Sequence, residues 1–389
     1  MRPLLSIIAA GGIVLAFAPV PAGAQPPTGA CTPPATTVAE QESWAQQRMA
    51  ADRVWPLTTG TGIVGVVDTG VSAGAPALAG AVLPGTDLAE GPGDGDCFGR
   101  GTFIAGLIAA RPGTGPFTGI APGVRVFPVR VTDDPPKIID HFGLAKSIGA
   151  GIVAAVEGGA RVVAVGLVAT LEAPELKDAV AFAAERDVLV VASASVPKNG
   201  QLAFPARLPG VLAVAPVGPD GPVSNAVYGT EPALAAPGLD LISIAPEGTG
   251  NRAATGGELA VAYVAGAAAL VRSYHPSLTA PQVAERLLAT ADQPGGALPN
   301  KFVGFGVVDP FAAVTTVLNT DPPATPRREN LVVPLPVKPD PGPANRALWF
   351  AGGVAAVALL VAGPAAIAAA SRRRRHQPSR TPNPRVQQS

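Results

Sequence analysis

Residues 256 to 271, GGELAVAYVAGAAALV, decide the fold that the rest of the chain must build. After its first turn this stretch is apolar on every side, and its one charge, Glu258, comes at its start. A helix that is apolar all round is buried, and sixteen residues rich in Ala and Gly are too few to span a membrane comfortably. The sequence therefore predicts a central helix in a large globular core, with Glu258 where the helix dipole favours a carboxylate.

Short apolar runs and helical segments alternate along residues 61–319. Ile63 to Val67 is apolar throughout and ends at Asp68, as expected for a strand buried on both faces. Further strands are predicted at 124–131, 162–167, 188–191, 211–214 and 239–244. Helices are predicted at 39–57, 101–110, 144–157, 174–185, 281–291 and 310–318. This alternation predicts an α/β fold, a doubly wound and mostly parallel sheet with helices on both faces. Functional sites in such sheets form at the carboxyl ends of strands, where Asp68 lies.

Both ends of the chain carry apolar segments that predict export and membrane attachment. Residues 1–24 contain Arg2, an apolar run and the small residues Ala22, Gly23 and Ala24, which is the pattern of a cleaved signal peptide. An uncleaved membrane anchor is the alternative. Residues 347–370 form a 24-residue apolar run, which is long enough to cross a bilayer as a helix.

The segments on either side of this apolar run predict its orientation. Residues 320–346 contain so many prolines that an extended polyproline-type spacer is expected there. Four arginines, Arg372 to Arg375, follow the run directly. Because positive residues stay on the cytoplasmic side, residues 371–389 are predicted to be a short cytoplasmic tail. The globular part then lies outside the cytoplasm.

The balance of charges differs between the predicted exported part and the tail. The whole chain has 28 Lys and Arg and 28 Asp and Glu, so its formal charge is zero. Six of the basic residues lie in the tail and one in the signal, which leaves 21 basic against 28 acidic residues in the exported part. This acidic balance argues against binding to nucleic acid. No linker interrupts residues 61–319, so one large domain is expected.

The chain has two cysteines, Cys31 and Cys97. An oxidising compartment favours a disulfide between them, which would tie an N-terminal arm of residues 25–60 to the domain. Two free thiols are the alternative. A bond that closes a loop of 66 residues would add roughly 4 kcal/mol of stability at most.

Three stretches resemble, in the right order, the Asp, His and Ser motifs of subtilisin-like serine proteases, the S8 family. They are IVGVVDTGV (63–71), GRGTFIAGLIAA (99–110) and GGELAVAYVAGAAALV (256–271). Within that family the position of Cys97, the stretches 204–214 and 272–279, the proline-rich spacer and the anchor resemble the mycosins, which are membrane-anchored proteases of type VII secretion systems. The likeness covers about residues 38–375 and implies partners among the membrane proteins of the secretion complex. We expect no cofactor and no metal.

The resemblance places unusual residues at the catalytic positions. Asp68 matches the family aspartate, but Arg100 stands at the histidine position, Glu258 at the serine position and Val196 at the position of the oxyanion asparagine. Arginine stays protonated at any ordinary pH and cannot act as a general base, and a valine side chain donates nothing to an oxyanion. These three residues are therefore expected to be non-catalytic.

Few other residues could take over the chemistry. The three histidines are His141, in a predicted loop, His275, before a predicted helix, and His376, in the tail, and all are expected to be structural or solvated. A metal held by Asp68 and Glu258 is disfavoured by Arg100, which we expect to lie between the two carboxylates and to bridge them. Three unrelated charges in an open cleft are the alternative arrangement.

These inferences predict an inactive, membrane-anchored subtilisin-like protein with a structural or assembly role in a type VII secretion system. Two alternatives stay open. The chain could be a serine endopeptidase with an unconventional active site, or a peptide-binding module that uses the vacated cleft.

Overall fold

The structure is a computed structural model that describes residues 31–88, 93–113, 115–133, 138–223, 225–318 and 342–374. The chain divides into two compact units, and the first, Met1–Pro323, holds the globular domain. The second, Ala324–Ser389, contributes one described helix. The predicted signal peptide, most of the proline-rich spacer and most of the tail lie outside the described residues.

An eight-stranded sheet forms the centre of the domain. Its strands are β1 Ile63–Asp68, β2 Thr86–Asp87, β3 Arg125–Arg130, β4 Val162–Val165, β5 Leu189–Ser193, β6 Val211–Gly218, β7 Gly221–Pro222 and β8 Leu234–Pro237. The strand order is β2-β3-β1-β4-β5-β6-β7, and β8 pairs with β6. All pairs are parallel except β6 with the short β7. This arrangement confirms the predicted mostly parallel sheet and places the end of β1 in its interior.

Helices cover both faces of this sheet, as predicted. They are α1 Trp44–Met49, α2 Arg100–Ala109, α3 His141–Glu157, α4 Pro174–Glu185, α5 Ala260–Tyr274, α6 Ala280–Ala289 and α7 Pro310–Thr315. Alternate residues of the strands point to opposite faces: Val64 and Val66 pack with α2 and α5, whereas Val67 packs with α3. Every residue from Ala260 to Val271 in α5 is buried, so the apolar stretch is the central helix that the sequence predicts.

Several elements differ from the sequence-based prediction. The segment 239–244 yields a strand, β9 Leu241–Ile244, but it pairs antiparallel with β10 Asn251–Ala254 in a separate small sheet. The strand β8 was not predicted, because Leu-Ala-Ala-Pro has none of the β-branched residues that favour strands. The helix predicted over 39–57 is limited to α1 and a 3-10 turn at Ala51–Arg53, because Ala50 adopts a left-handed conformation with φ 41° that ends α1.

The N-terminal arm is tied to the domain by the predicted disulfide between Cys31 and Cys97, which is present. Beyond the bond, the arm runs beside residues 247–251. Gly250 N donates to Ala35 O at 2.8 Å. Asn251 N donates to Thr37 O at 2.7 Å. These contacts hold the arm along the surface of the domain.

The second unit contains α8 Gly342–Arg374, which includes the predicted membrane span. Residues Asn345–Ala365 have a mean hydropathy of 1.9 and are long and apolar enough to cross a membrane. Large apolar side chains of this helix are exposed, with Trp349 83% accessible. The helix begins earlier than predicted: residues 342–346, assigned to the spacer, are helical, because a proline is tolerated in the first turn of a helix.

Candidate functional site

The candidate site is built around Asp68, the last residue of β1. Its side chain is 0% exposed. Thr69 N donates to Asp68 Oδ1 at 2.8 Å. Arg100 Nε donates to both carboxylate oxygens, at 3.0 and 3.1 Å. The two residues predicted to meet therefore form an ion pair inside the domain.

Close packing of backbone brings Arg100 over Asp68. Arg100 is the first residue of α2, and the next residue, Gly101, lies against the chain just after β1. A Cβ at Gly101 would collide with the carbonyl oxygen of Gly70. Only glycine permits this approach, so Gly101 sets the position from which Arg100 reaches the aspartate.

The environment of Arg100 keeps its guanidinium charged. Burial lowers the pKa of Arg100, but the charges of Asp68, Glu258 and Asp96 together outweigh burial, so the pKa is raised above its ordinary value. The Nη2 atom of Arg100 is buried and has no hydrogen-bond partner in the described part of the chain. Arg100 therefore cannot take a proton from a neighbouring group, yet its Nη2 group is an unused donor.

Glu258 lies in the same cleft but not in the same ion pair. It belongs to a 3-10 turn, Gly257–Leu259, that leads into α5, and its carboxylate folds back over Gly256. Within the described residues, Glu258 forms no ion pair with Arg100 shorter than 4 Å. The prediction of a guanidinium that bridges two carboxylates is thus wrong in this detail. The guanidinium presents its Nε edge to Asp68, and Glu258 acts on it only through its charge.

A cleft of about 950 Å³ opens above these residues. Val196, predicted to be the oxyanion position, lines it with a side chain that is 7% exposed, and its backbone N–H is already bound to Val227 O at 2.9 Å. The neighbouring Ser195 also lines the cleft, packed against Gly257, and its Oγ is buried without a partner in the described part of the chain. Neither the side chain nor the N–H of residue 196 is therefore free to stabilise an oxyanion.

The sequence reasoning missed Asp96, which organises the loop that precedes α2. Asp96 Oδ1 accepts from Thr69 Oγ1 at 2.8 Å and from Gly99 N at 2.7 Å. Asp96 Oδ2 accepts from the N and the Oγ1 of Thr102, both at 2.7 Å. Burial raises the pKa of Asp96 to about 6, although these hydrogen bonds act in the opposite direction. The sequence did contain a signal for this role: Asp96 lies just before the predicted start of α2, three residues before Gly99 and six before Thr102. Aspartates in that position commonly cap helix N-termini.

The two described histidines differ in their positions. His275 Nε2 lies 2.8 Å from Val314 O and is not part of the cleft. His141 was predicted to lie in a loop, but it is the first residue of α3. The helix begins there because Asp140 caps it by accepting from the N–H groups of Phe142 and Gly143. Its ring lines the cleft.

Comparisons with known proteins agree with this architecture. The model of the subtilase family, Peptidase_S8, matches residues 60–306. The chain belongs to the subtilase family. This subtilase is 32% identical to Mycosin-1 of Mycolicibacterium smegmatis, over 81% of the chain and 84% of the relative. It is 30% identical to Mycosin-3 of Mycobacterium tuberculosis, over 86% of the chain and 85% of the relative.

Solved structures of mycosins show the same fold as this subtilase. The crystal structure of MycP1 from Mycobacterium smegmatis matches with a TM-score of 0.66 and 29% identity, over 78% of this chain and 93% of MycP1. A chain in the structure of an intact ESX-5 inner membrane complex matches with a TM-score of 0.65 and 27% identity, over 88% of this subtilase and 94% of that chain. The family resemblance inferred from the three motifs is thereby confirmed.

Proposed function

We propose that this chain is a membrane-anchored, mycosin-like subtilase that does not hydrolyse peptide bonds and serves as a structural or assembly component of a type VII secretion system. The absence of hydrolysis is supported above all by the ion pair at the end of β1. The Arg100 guanidinium binds both oxygens of Asp68, at the point where the family mechanism needs an imidazole held by the aspartate.

The chemistry of the remaining positions supports the absence of hydrolysis. Serine peptidases need a nucleophile whose proton passes to a neighbouring base. Arg100 stays protonated and cannot accept that proton, and Glu258 at the start of the central helix offers a carboxylate in place of a hydroxyl. Val196 offers no side-chain donor to the oxyanion, and the loss of such a donor in subtilisin lowers the rate by about 10²–10³. Three separate requirements of the mechanism are thus unmet.

Membrane anchoring and the similarity to mycosins support the assembly role. α8 is long and apolar enough to span a membrane, and one structural neighbour is a chain of an intact ESX-5 inner membrane complex. The positive-inside rule, applied to Arg372 to Arg375, predicts a cytoplasmic tail and a globular domain outside the cytoplasm. The partners would be the membrane proteins of the secretion complex.

Hydrolysis can be tested directly on the full chain purified in a neutral detergent. A fluorophosphonate probe should not label the chain, and casein should remain intact, while subtilisin under the same conditions is labelled and cuts. Labelling or cleavage that disappears in Asp68→Ala would contradict the proposal, because that result identifies a working peptidase that depends on Asp68.

The assembly role has its own test in cells that lack this chain. We expect the amount of assembled secretion complex to fall, and to be restored equally by the wild-type chain and by a variant that carries Asp68→Ala. A chain truncated before residue 342, which lacks α8, is the matched control and should not restore assembly. Restoration by wild type but not by Asp68→Ala, with both at equal abundance, would favour an enzymatic role instead.

A further inference from the structure

The cleft carries an excess of negative charge. Four carboxylates lie in its walls or directly beneath them: Asp68, Asp96, Asp240 and Glu258. They face two guanidinium groups, Arg100 and Arg252. Arg100 is bound to Asp68. Burial lowers the pKa of Arg252, and the charge of Asp96 partly offsets that effect.

Glu258 is the carboxylate in this set that is left for a ligand. Asp68 and Asp96 are fully engaged with donors from the protein. Asp240 Oδ1 lies 3.4 Å from the Thr255 hydroxyl. Glu258 has neither a hydrogen bond nor an ion pair within the described residues, although it is half-buried at the base of the cleft. A half-buried carboxylate in an acidic cleft favours a cation as its partner.

Four large apolar side chains are exposed on chain segments that continue from, or pair with, segments that line the cleft. They are Ile139, 94% exposed, Leu171, 53%, Phe142, 45%, and Leu202, 39%. Ile138 and His141 next to them line the cleft. The ion pair between Lys146 and Glu175, at 3.1 Å, ties the start of α3 to the start of α4.

Leu171 and Leu202 lie on two segments of chain that pair with each other. Ala169 and Phe204 exchange two backbone hydrogen bonds, at 3.0 and 2.9 Å, and so hold together the segments that carry Leu171 and Leu202. We refer to Ile139, Phe142, Leu171 and Leu202 as the apolar rim. Exposed apolar side chains on segments next to a cleft favour an interaction surface there.

We propose that the cleft and the apolar rim together dock an extended segment of a partner protein, with a lysine or arginine of that segment paired to Glu258 and its apolar side chains on the rim. The inference rests on the proposed function, because the segment must stay uncut. The cleft would then hold a basic peptide where the family architecture holds a substrate.

The proposal can be tested with four fluorescent hexapeptides that have blocked ends and a leucine at each end. They differ at one residue near the middle, which is lysine, glutamine, norleucine or glutamate. Binding to the full chain in neutral detergent is followed by fluorescence anisotropy. We expect the lysine peptide to bind about tenfold more tightly than the glutamine peptide, the size of one favourable partly buried charge contact. Glu258→Gln should abolish this ratio, whereas Glu247→Gln, which changes an exposed carboxylate outside the cleft, should preserve it.

The rim makes a separate contribution that can be measured in the same assay. Phe142→Ser should weaken the lysine and the glutamine peptides by the same factor, because it removes apolar contact and no charge. Equal binding of the two peptides to the wild-type chain, no binding at all, or a lysine preference that survives Glu258→Gln would overturn the proposal. Preference for the glutamate peptide would also overturn it, since Arg100 would then be the ligand-binding charge.

Two further outcomes identify other occupants or another function. If the chain is oligomeric in detergent and Phe142→Ser dissociates it, the rim is an interface between copies of this chain and the docking proposal is wrong. Mass spectrometry of the peptides after each titration reports on the proposed function separately. Cleavage would contradict an uncut ligand and the inactive assignment, whereas intact peptides that show no lysine preference would contradict the docking site alone.

Discussion

Replacing Arg100 with alanine removes the counter-charge of a carboxylate that the fold buries completely. Asp68 is 0% exposed, and among the described residues it would keep only its hydrogen bond from Thr69 N, at 2.8 Å. Removing one partner of a buried ion pair costs about 3–5 kcal/mol. The side chain of Arg100 is 15% exposed at the base of an open cleft, so water can partly replace it, and we expect the lower end of that range, about 3 kcal/mol.

This free energy corresponds to a lower melting temperature of about 6–12 °C for a domain of this size, at roughly 2–4 °C per kcal/mol. Differential scanning fluorimetry of the full chain in detergent measures it. Asp68→Asn added to Arg100→Ala should recover most of the loss, because it removes the unpaired charge, whereas Glu258→Gln added to Arg100→Ala should recover little. Arg125→Ala, at an exposed position of β3, is the matched control and should melt like the wild type. The reasoning fails if Arg100→Ala melts like the wild type, or if Glu258→Gln restores more than Asp68→Asn.

The remaining predictions concern the loop before α2, the arm and the proposed absence of hydrolysis. Burial raises the pKa of Asp96 to about 6, so the folded domain binds the Asp96 proton more tightly than the unfolded chain does. This preference stabilises the fold fully below about pH 4 and is lost as the pH rises through 6. The free energy of unfolding of Asp96→Asn, measured in urea relative to that of the wild type, should therefore rise by up to about 3 kcal/mol between pH 4 and pH 7. Cys31→Ser should lower the free energy of unfolding by up to about 4 kcal/mol. Alkylation of the unreduced wild type should find no free thiol. Mass spectrometry should place the N-terminus of the wild type near Gln25. Arg100→His with Glu258→Ser should restore little or no casein hydrolysis unless Val196→Asn is added, and robust activity of the double variant would refute the loss of the oxyanion position.

The parts of the fold that the sequence predicted well are those in which local signals coincide. α4 begins at Pro174 and ends at Glu185 as predicted, because a proline at the first helical position and a polar-apolar pattern mark the same boundaries. The strand β9 shows the limit of such signals. Its apolar residues predict an extended segment, but whether it joins the central sheet or pairs with β10 depends on contacts between distant residues, which its own pattern does not contain.

The sequence predicted those parts of the candidate site that depend on the ends of strands and on the resemblance to subtilase motifs. The end of β1 and the start of α2 were expected to meet, and Asp68 and Arg100 do. The position of Glu258 in the cleft was also expected, but the direction of its carboxylate was not, because a turn of 3-10 helix before α5 lets the side chain fold back over Gly256. Asp96 was missed because an aspartate in a glycine-rich loop looks like an ordinary solvent-exposed residue until its four donors are seen.

The burial of Asp68 explains why the residue at position 100 must carry a donor or a charge. β1 lies between β3 and β4, and a Cβ at Gly166 would collide with the Asp68 carboxylate, so the side chain cannot turn toward solvent on that side. A buried carboxylate without a partner is strongly destabilising, and the fold therefore requires a partner from α2 whatever the chemistry of the cleft. A histidine satisfies Asp68 with one N–H and keeps its second nitrogen for proton transfer. Arginine satisfies Asp68 with a permanent charge and has no such nitrogen, so the contact that stabilises this domain is the same contact that excludes the base.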